Sequence, residues 1–211
     1  MLIGLINGSP KTKNSNSKYI LDELRTLILN ENEAIEFDAK KELSTQDYDK
    51  MLSCDALVFA FPIYVDGIPS HLLNTLVELE KYSKLKNTSN TIIYAIANCG
   101  FYEGNQNSIA IEMMKHWCKK CNLTWGQGIG TGAGEMIGSI KDVPLGHGPK
   151  KNLGKILNTL SKNILESKSG EDLLISPNFP RFAFRIAGNM FWNSKAKSNG
   201  LKKKDLFKKH L

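Results

Sequence analysis

Strand-length apolar runs alternate with segments of helical periodicity through most of the chain, and this alternation restricts it to a parallel sheet covered by helices. Residues 2–7 (LIGLIN) read as a short buried strand, and residues 17–29 follow with Ile20, Leu24, Leu27 and Ile28 on one helical face. Residues 34–37 make a weaker second strand, trailed by a polar stretch with room for a short helix around 48–53. Residues 56–61 (ALVFAF) are apolar at every position, as a strand buried on both faces requires. Pro69 stands where it can open a helix whose core face is Leu72, Leu73, Leu76 and Leu79. Residues 91–97 (TIIYAIA) are a fourth strand; a helix with Ala110, Met113, Met114, Trp117 and Cys121 on one side comes next, then a glycine-weakened fifth strand over 123–129. Leu153, Ile156, Leu157, Leu160 and Ile164 mark the last covering helix. The implied architecture is α/β, with five parallel strands and helices on both faces, for which 2-1-3-4-5 is a common doubly wound order.

At 211 residues the chain accommodates one sizeable core with an appendage. The compositional break is residues 176–180 (SPNFP), where two prolines end the α/β pattern. This divides the sequence into a body, 1–175, and a C-terminal extension, 176–211. From residue 181 onward there are nine basic residues and one acid, a charge of +8, whereas residues 1–180 carry −1. The longest apolar run, 56–65, is ten residues interrupted by Pro62, against the ~20 that a membrane-crossing helix needs. No basic leader or cleavage site is visible near Met1, and four cysteines are too few for a disulfide-stapled secreted domain, so a cytoplasmic location is expected.

In an open sheet of this order, ligands bind beyond the carboxyl ends of the strands, where strand order reverses between the first and third. The loops after strands one, three and four meet there. The first, residues 8–17 (GSPKTKNSNS), holds four hydroxyls, two side-chain amides and two lysines. Unpaired amides and the helix dipole favour negative charge at such a junction, and these donors suit a compact phosphate. It is neither a Walker A loop nor a dinucleotide fingerprint, because Pro10 and Lys13 stand where those motifs need glycine. An ordinary capped turn, with Ser17 or Asn16 as N-cap, is the alternative. The second loop, residues 62–69 (PIYVDGIP), would expose Ile63, Tyr64 and Val65 unless a flat apolar ligand covers them or they fold back into the core. The third, residues 98–105 (NCGFYEGN), offers two aromatics and two glycines for close backbone approach. The Gly-rich segment 131–149 exceeds the ~12–15 residues at which structureless loops become uncommon; it reads as a functional loop or holds a short embedded element.

LIGLINGSPKTKNSNS, DALVFAFPIYVDGIPSHLLNTLVE and the strand running into NCGFYEG together resemble the flavodoxin-like fold, and more closely its NAD(P)H-dependent FMN reductase and quinone reductase relatives. The resemblance covers roughly residues 1 to 165. It implies a three-layer sandwich in which Ser9, Lys11, Ser15, Asn16 and Ser17 hold the FMN phosphate. Pro62, Ile63, Tyr64 and Val65 would border the ring system, with Asn98, Cys99 and Gly100 on its other flank. It further implies NADPH or NADH as reductant, a small-molecule electron acceptor and a homodimer. Many relatives have Lys where this chain has Asn74, and a frequent Arg is replaced by Lys11; the cysteine cluster of the iron-sulfur relatives is missing. An electron carrier of flavodoxin type and a flavin-free docking module are the competing readings.

Since a flavin carries its own redox chemistry, no catalytic side chain is demanded of the protein. The sequence has no G-x-S-x-G elbow and no H-E-x-x-H, and its four histidines are too scattered for a metal motif. His147 could meet a substrate but reads as a solvated loop residue. Cys118 and Cys121 sit within a helical pattern with no second C-x-x-C, which makes them structural. Gly128-x-Gly130-x-x-Ala133 imitates a nucleotide fingerprint after the wrong strand and reads as flexible backbone. The extension mixes Phe182, Ala183, Ile186, Met190 and Trp192 with its basic residues. It reads first as a helix that packs on the body or a dimer mate with a solvated lysine-rich end; an anionic membrane surface, peripheral to an otherwise cytoplasmic protein, is the alternative. Nucleic acid is not expected, as no recognition motif accompanies the charge.

Overall fold

The computed structural model describes residues 1–29, 32–86 and 90–208. Met1–Pro177 form one compact unit and Asn178–Leu211 a second. In the first unit the strands are β1 (Leu2–Asn7), β2 (Glu33–Asp38), β3 (Ala56–Pro62), β4 (Ile92–Asn98), β5 (Thr124–Thr131) and β6 (Leu173–Ile175). The helices are α1 (Asn16–Ile28), α2 (Thr45–Leu52), α3 (Ser70–Lys86), α4 (Ser108–Lys120), α5 (Gly134–Ser139) and α6 (Lys151–Leu165).

All neighbouring strands are parallel, in the order β2-β1-β3-β4-β5-β6. The sheet therefore has six strands where the hydrophobic pattern predicts five. The additional β6 is three residues long, too short to show a period, and pairs Leu173, Leu174 and Ile175 with Ile129, Gly130 and Thr131 at the otherwise open edge of β5.

Along β3 alternate residues enter opposite layers, which is why ALVFAF is apolar throughout. Leu57, Phe59 and Phe61 pack with Tyr48 and Met51 of α2, Leu72, Leu76 and Leu79 of α3, and Met114 and Trp117 of α4. Ala56, Val58 and Ala60 pack on the other face with Ile20, Leu24 and Ile28 of α1 and Leu153, Leu157 and Leu160 of α6. Leu73, expected on the core face of α3, is exposed: it sits about 100° around the helix from Leu72, outside the stripe that Leu72, Leu76 and Leu79 complete.

Gly128 and Gly130 lie within β5 and serve packing rather than flexibility. A Cβ on Gly128 would lie 2.5 Å from Ile111 Cγ2, and one on Gly130 2.5 Å from Leu174 Cδ2, so these glycines admit α4 and β6 to the strand. Cys118 and Cys121 are buried without a disulfide; burial pushes their thiols up to about 12 and about 11, inert as ligands or nucleophiles near neutrality. No group of three or more metal-ligating side chains is found among the described residues, nor is any helix long and apolar enough to cross a membrane.

In the second unit, α7 (Arg181–Ser198) is followed by a 3-10 turn over Lys203–Phe207.

Candidate functional site

Asn7 pairs with Ala60, Pro62 with Asn98, and Asn98 with Thr131, so the carboxyl ends of β1, β3, β4 and β5 stand side by side. The loops leaving them surround a cleft of about 150 Å³. It is lined by Ser9, Lys11, Asn16 and Ser17 from the first loop, Pro62, Ile63 and Tyr64 from the second, Asn98, Cys99 and Gly100 from the third, and Gly134 and Glu135 from α5. Ten of the twelve residues singled out in the sequence thus meet at one place.

The first loop is a chain of local hydrogen bonds. Gly8 N–H donates to the Ala60 carbonyl at 2.8 Å, Ser9 N–H to Asn7 Oδ1, and Lys11 N–H to Ser9 Oγ. Its opening glycine is dictated by packing, since a Cβ there would lie 2.6 Å from Leu72 Cδ2. The N-cap of α1 is Ser15 rather than Asn16 or Ser17: its Oγ accepts from Lys18 N–H at 3.1 Å. Ser15 therefore lines a neighbouring recess and not the cleft itself. From Thr12 to Ser17 none of the six consecutive backbone N–H groups donates to a protein acceptor among the described residues. The first turn of α1 contains no acid. Orphan donors, the positive end of the dipole and Lys11 make this corner attractive to an anion.

Asn98 joins the loops. Buried at the end of β4, its Nδ2 donates to Ser17 Oγ at 2.7 Å and to the Phe61 carbonyl at 2.9 Å, binding α1, β3 and β4 together beneath the cleft. His71 Nε2 lies 3.0 Å from the Gly8 carbonyl and ties α3 to the same loop.

The second loop is a tight hairpin. Tyr64 and Gly67 exchange two backbone hydrogen bonds of 3.1 Å, with Val65 and Asp66 between them at φ 48° and 61°. Two positive φ values define a type I′ turn, and a β-branched residue in that region is strained. Val65 is fully exposed at the tip and takes no part in the cleft lining, contrary to the sequence reading. The turn that holds Tyr64 at the cleft directs the next side chain to solvent. Ile63 leans on the core, and Tyr64 is half-exposed.

Cys99 is buried against Asn107, whose Nδ2 donates to its sulfur at 3.4 Å, and burial raises its thiol above the ordinary range. Gly100 borders open space: a Cβ there would meet nothing within 4 Å. The segment read as a functional loop, 131–149, contains α5 and reaches the cleft through Gly134 and Glu135. It is laced to the third loop by Gly134 N–H to the Cys99 carbonyl at 2.7 Å and by Ala133 N–H to the Phe101 carbonyl. Glu135 forms an ion pair of 3.0 Å with Lys11 across the cleft. Neither Gly134 nor Glu135 was singled out from the sequence, because only the lacing of two loops brings them there. His147 is exposed in the loop, as read.

Lys150 was likewise overlooked. Entirely buried, it donates to the Tyr19 hydroxyl and to the Lys141 carbonyl, and its ammonium stands 5.0 Å from the Tyr19 ring centre. It fastens the end of the long loop to α1. Burial, with a hydrogen bond to Glu23, raises the Tyr19 phenol above its usual range. Beside it a second recess of about 340 Å³ shares Lys11 with the cleft and is lined further by Lys13, Lys18, Lys40 and Lys141 against Asp22 and Asp38.

No family model matches the sequence, and no curated protein matches it. Solved structures do match the fold. An NADH:FMN oxidoreductase in apo form is 15% identical with a TM-score of 0.61, over 81% of this chain and 91% of that one. A flavodoxin of Streptococcus pneumoniae TIGR4 is 12% identical with a TM-score of 0.57, over 79% of this chain and 99% of that one. An azoreductase of Bacillus anthracis str. Sterne is 12% identical with a TM-score of 0.50, over 79% and 99%. The fold of the first unit is flavodoxin-like.

Proposed function

We propose that this chain is an FMN-dependent oxidoreductase that takes reducing equivalents from NADPH or NADH and passes them to a quinone, nitroaromatic, azo compound or similar small acceptor. The observation that carries this reading is the row of unpaired N–H groups from Thr12 to Ser17 at an acid-free helix N-terminus, of which Asn16 and Ser17 line the cleft with Tyr64 at its rim and Thr12 to Ser15 line the recess that shares Lys11 with it. The described fold neighbours include proteins named for FMN oxidoreduction and azo reduction, which supports the same class of chemistry.

The residues present fit FMN. The N–H groups of Thr12 to Ser17, Lys11 and the hydroxyls of Ser9 and Ser17 would hold the phosphate end, with Asn16 beside them. Pro62, Ile63 and Tyr64 would border one side of the ring system and Asn98, Cys99 and Gly100 the other. At about 150 Å³ the cleft is below the ~300–1,000 Å³ of enclosed ligand sites, so part of the ring would lie across its open mouth, accessible to a second planar molecule. Bound FMN would supply hydride acceptance and one- or two-electron donation. The protein's part is to orient it: Asn98 keeps the three loops in register, and the Cys99 thiol, kept protonated by burial, adds no charge beside the ring.

Purified protein should be yellow and, after reconstitution, hold about one FMN per chain. Colourless protein that binds no added FMN overturns the reading. With FMN bound, rapid bleaching by NADPH or NADH supports the enzyme; bleaching only by a reduced protein donor makes it an electron carrier instead.

A further inference from the structure

We propose that the second unit docks on an anionic lipid surface. Helix α7 is 18 residues long and places Phe182, Ile186 and Met190 at i, i+4 and i+8, one continuous apolar stripe. These side chains are 70%, 55% and 67% exposed, and Trp192 is 63% exposed. At about 100° per residue, Arg181 and Lys195 fall on the far side of the helix together with Trp192, Arg185 flanks the stripe, and Lys197 stands at its C-terminal end. An apolar stripe bordered by cations, in a helix too polar to cross a bilayer, is the pattern of a helix lying in the headgroup region. The 3-10 turn repeats it, with Leu206 and Phe207 exposed among lysines.

Charge selects the occupant. The extension carries +8, and its only acid, Asp205, is already paired with Lys208 at 2.7 Å. A second copy of the same surface would bring +8 against +8. A polyanion without apolar depth, such as RNA, would leave Ile186 and Met190 without a function. A membrane with acidic headgroups satisfies both sets at once, each basic residue near it contributing about fivefold to partitioning. This inference does not depend on the flavin reading.

The test is co-sedimentation of the full-length protein with vesicles of phosphatidylcholine alone or with about 30% phosphatidylserine, from ~0.05 M to ~0.3 M salt. Retention on the acidic vesicles at least about tenfold above the neutral ones, falling with salt, is expected. Ile186→Ser with Met190→Ser should cut it by about tenfold, because two of the inserted side chains are removed. Acidic vesicles should also blue-shift the emission of a tryptophan placed on the stripe, Met190→Trp in a Trp192→Phe background, while circular dichroism shows an intact fold; no shift overturns the proposal. Equal retention on both vesicle types, or none, overturns the proposal. So do capture by RNA without capture by vesicles, and self-association in light scattering that the double variant abolishes.

Discussion

In Met1–Pro177, Phe59, Phe61 and Tyr94 have no exposed surface, whereas in Asn178–Leu211 the equally large Phe182, Met190 and Trp192 are 63–70% exposed. The two regions contain the same kinds of side chain. The first has a sheet with helices on both faces to close over them; the second has one long helix and a short turn, too little chain to enclose a core. Their charges separate in parallel, nearly neutral in the body and +8 in the extension. Apolar residues that cannot be enclosed within their own unit, set among like charges, form a surface rather than a core.

The sharpest way to break this comparison is to truncate one aromatic in each region. Phe59→Ala removes a ring in edge contact with Trp117 at 5.8 Å and should destabilise the body by about 3–5 kcal/mol in denaturant unfolding. Phe182→Ala should change stability by no more than about 0.5 kcal/mol. Comparable losses would mean that the extension has a core of its own.

Next in size is the joint beneath the cleft. Asn98→Ala leaves the buried Ser17 Oγ without its donor, while the Phe61 carbonyl keeps its ladder bond from the N–H of residue 98, and should cost about 1–3 kcal/mol. It should also loosen the first loop, seen as faster amide exchange at residues 12–17; unchanged exchange would show that the loop holds its shape without Asn98.

Alkaline pH acts on the body's interior. Burial raises the thiols of Cys54 and Cys121 to about 11, that of Cys118 to about 12 and the Tyr94 phenol to about 12. Each group binds its proton more tightly folded than unfolded. Its contribution is therefore complete below the ordinary thiol or phenol range and is lost as pH rises from about 9 to about 12. Thermal stability should fall through that window. The four buried cysteines should react with a thiol reagent near pH 8 only as the protein unfolds; rapid labelling of the native protein would contradict their burial.

The smallest effects are local to the cleft charge. Glu135→Gln releases Lys11 from its 3.0 Å pair and should tighten FMN binding about threefold, while Asn16→Asp adds an anion beside the phosphate corner and should weaken it about tenfold. Titration by fluorescence quenching measures both. The same sign for the two would remove the phosphate from the α1 N-terminus.

Much of the fold was legible because it rests on local signals. ALVFAF could only be a strand buried on both faces, and the period of Leu153, Ile156, Leu157, Leu160 and Ile164 could only be a helix with one covered face. Most of the cleft was legible as well, because doubly wound topology brings the loops after β1, β3 and β4 together whatever their details. Val65 escaped prediction because its direction depends on a type I′ turn that Gly67 closes from two residues away. Ser15 was read as a ligand group when the helix used it as a cap. β6, Glu135 and Lys150 carry no period and no motif; each owes its position to partners 44 to 131 residues distant.

The order of side chains along the chain by itself determined which segments are strands and helices, where the polar loop opens, and that a cationic extension follows a neutral body. Those properties depend on periods of two and 3.6 residues and on summed charge, which need no knowledge of neighbours in space. Only the tertiary structure decided that a sixth strand completes the sheet, that Glu135 faces Lys11, and that Lys150 lies buried under Tyr19. Such placements are set by close packing and by hydrogen bonds between distant residues, and neither leaves a mark on the local pattern.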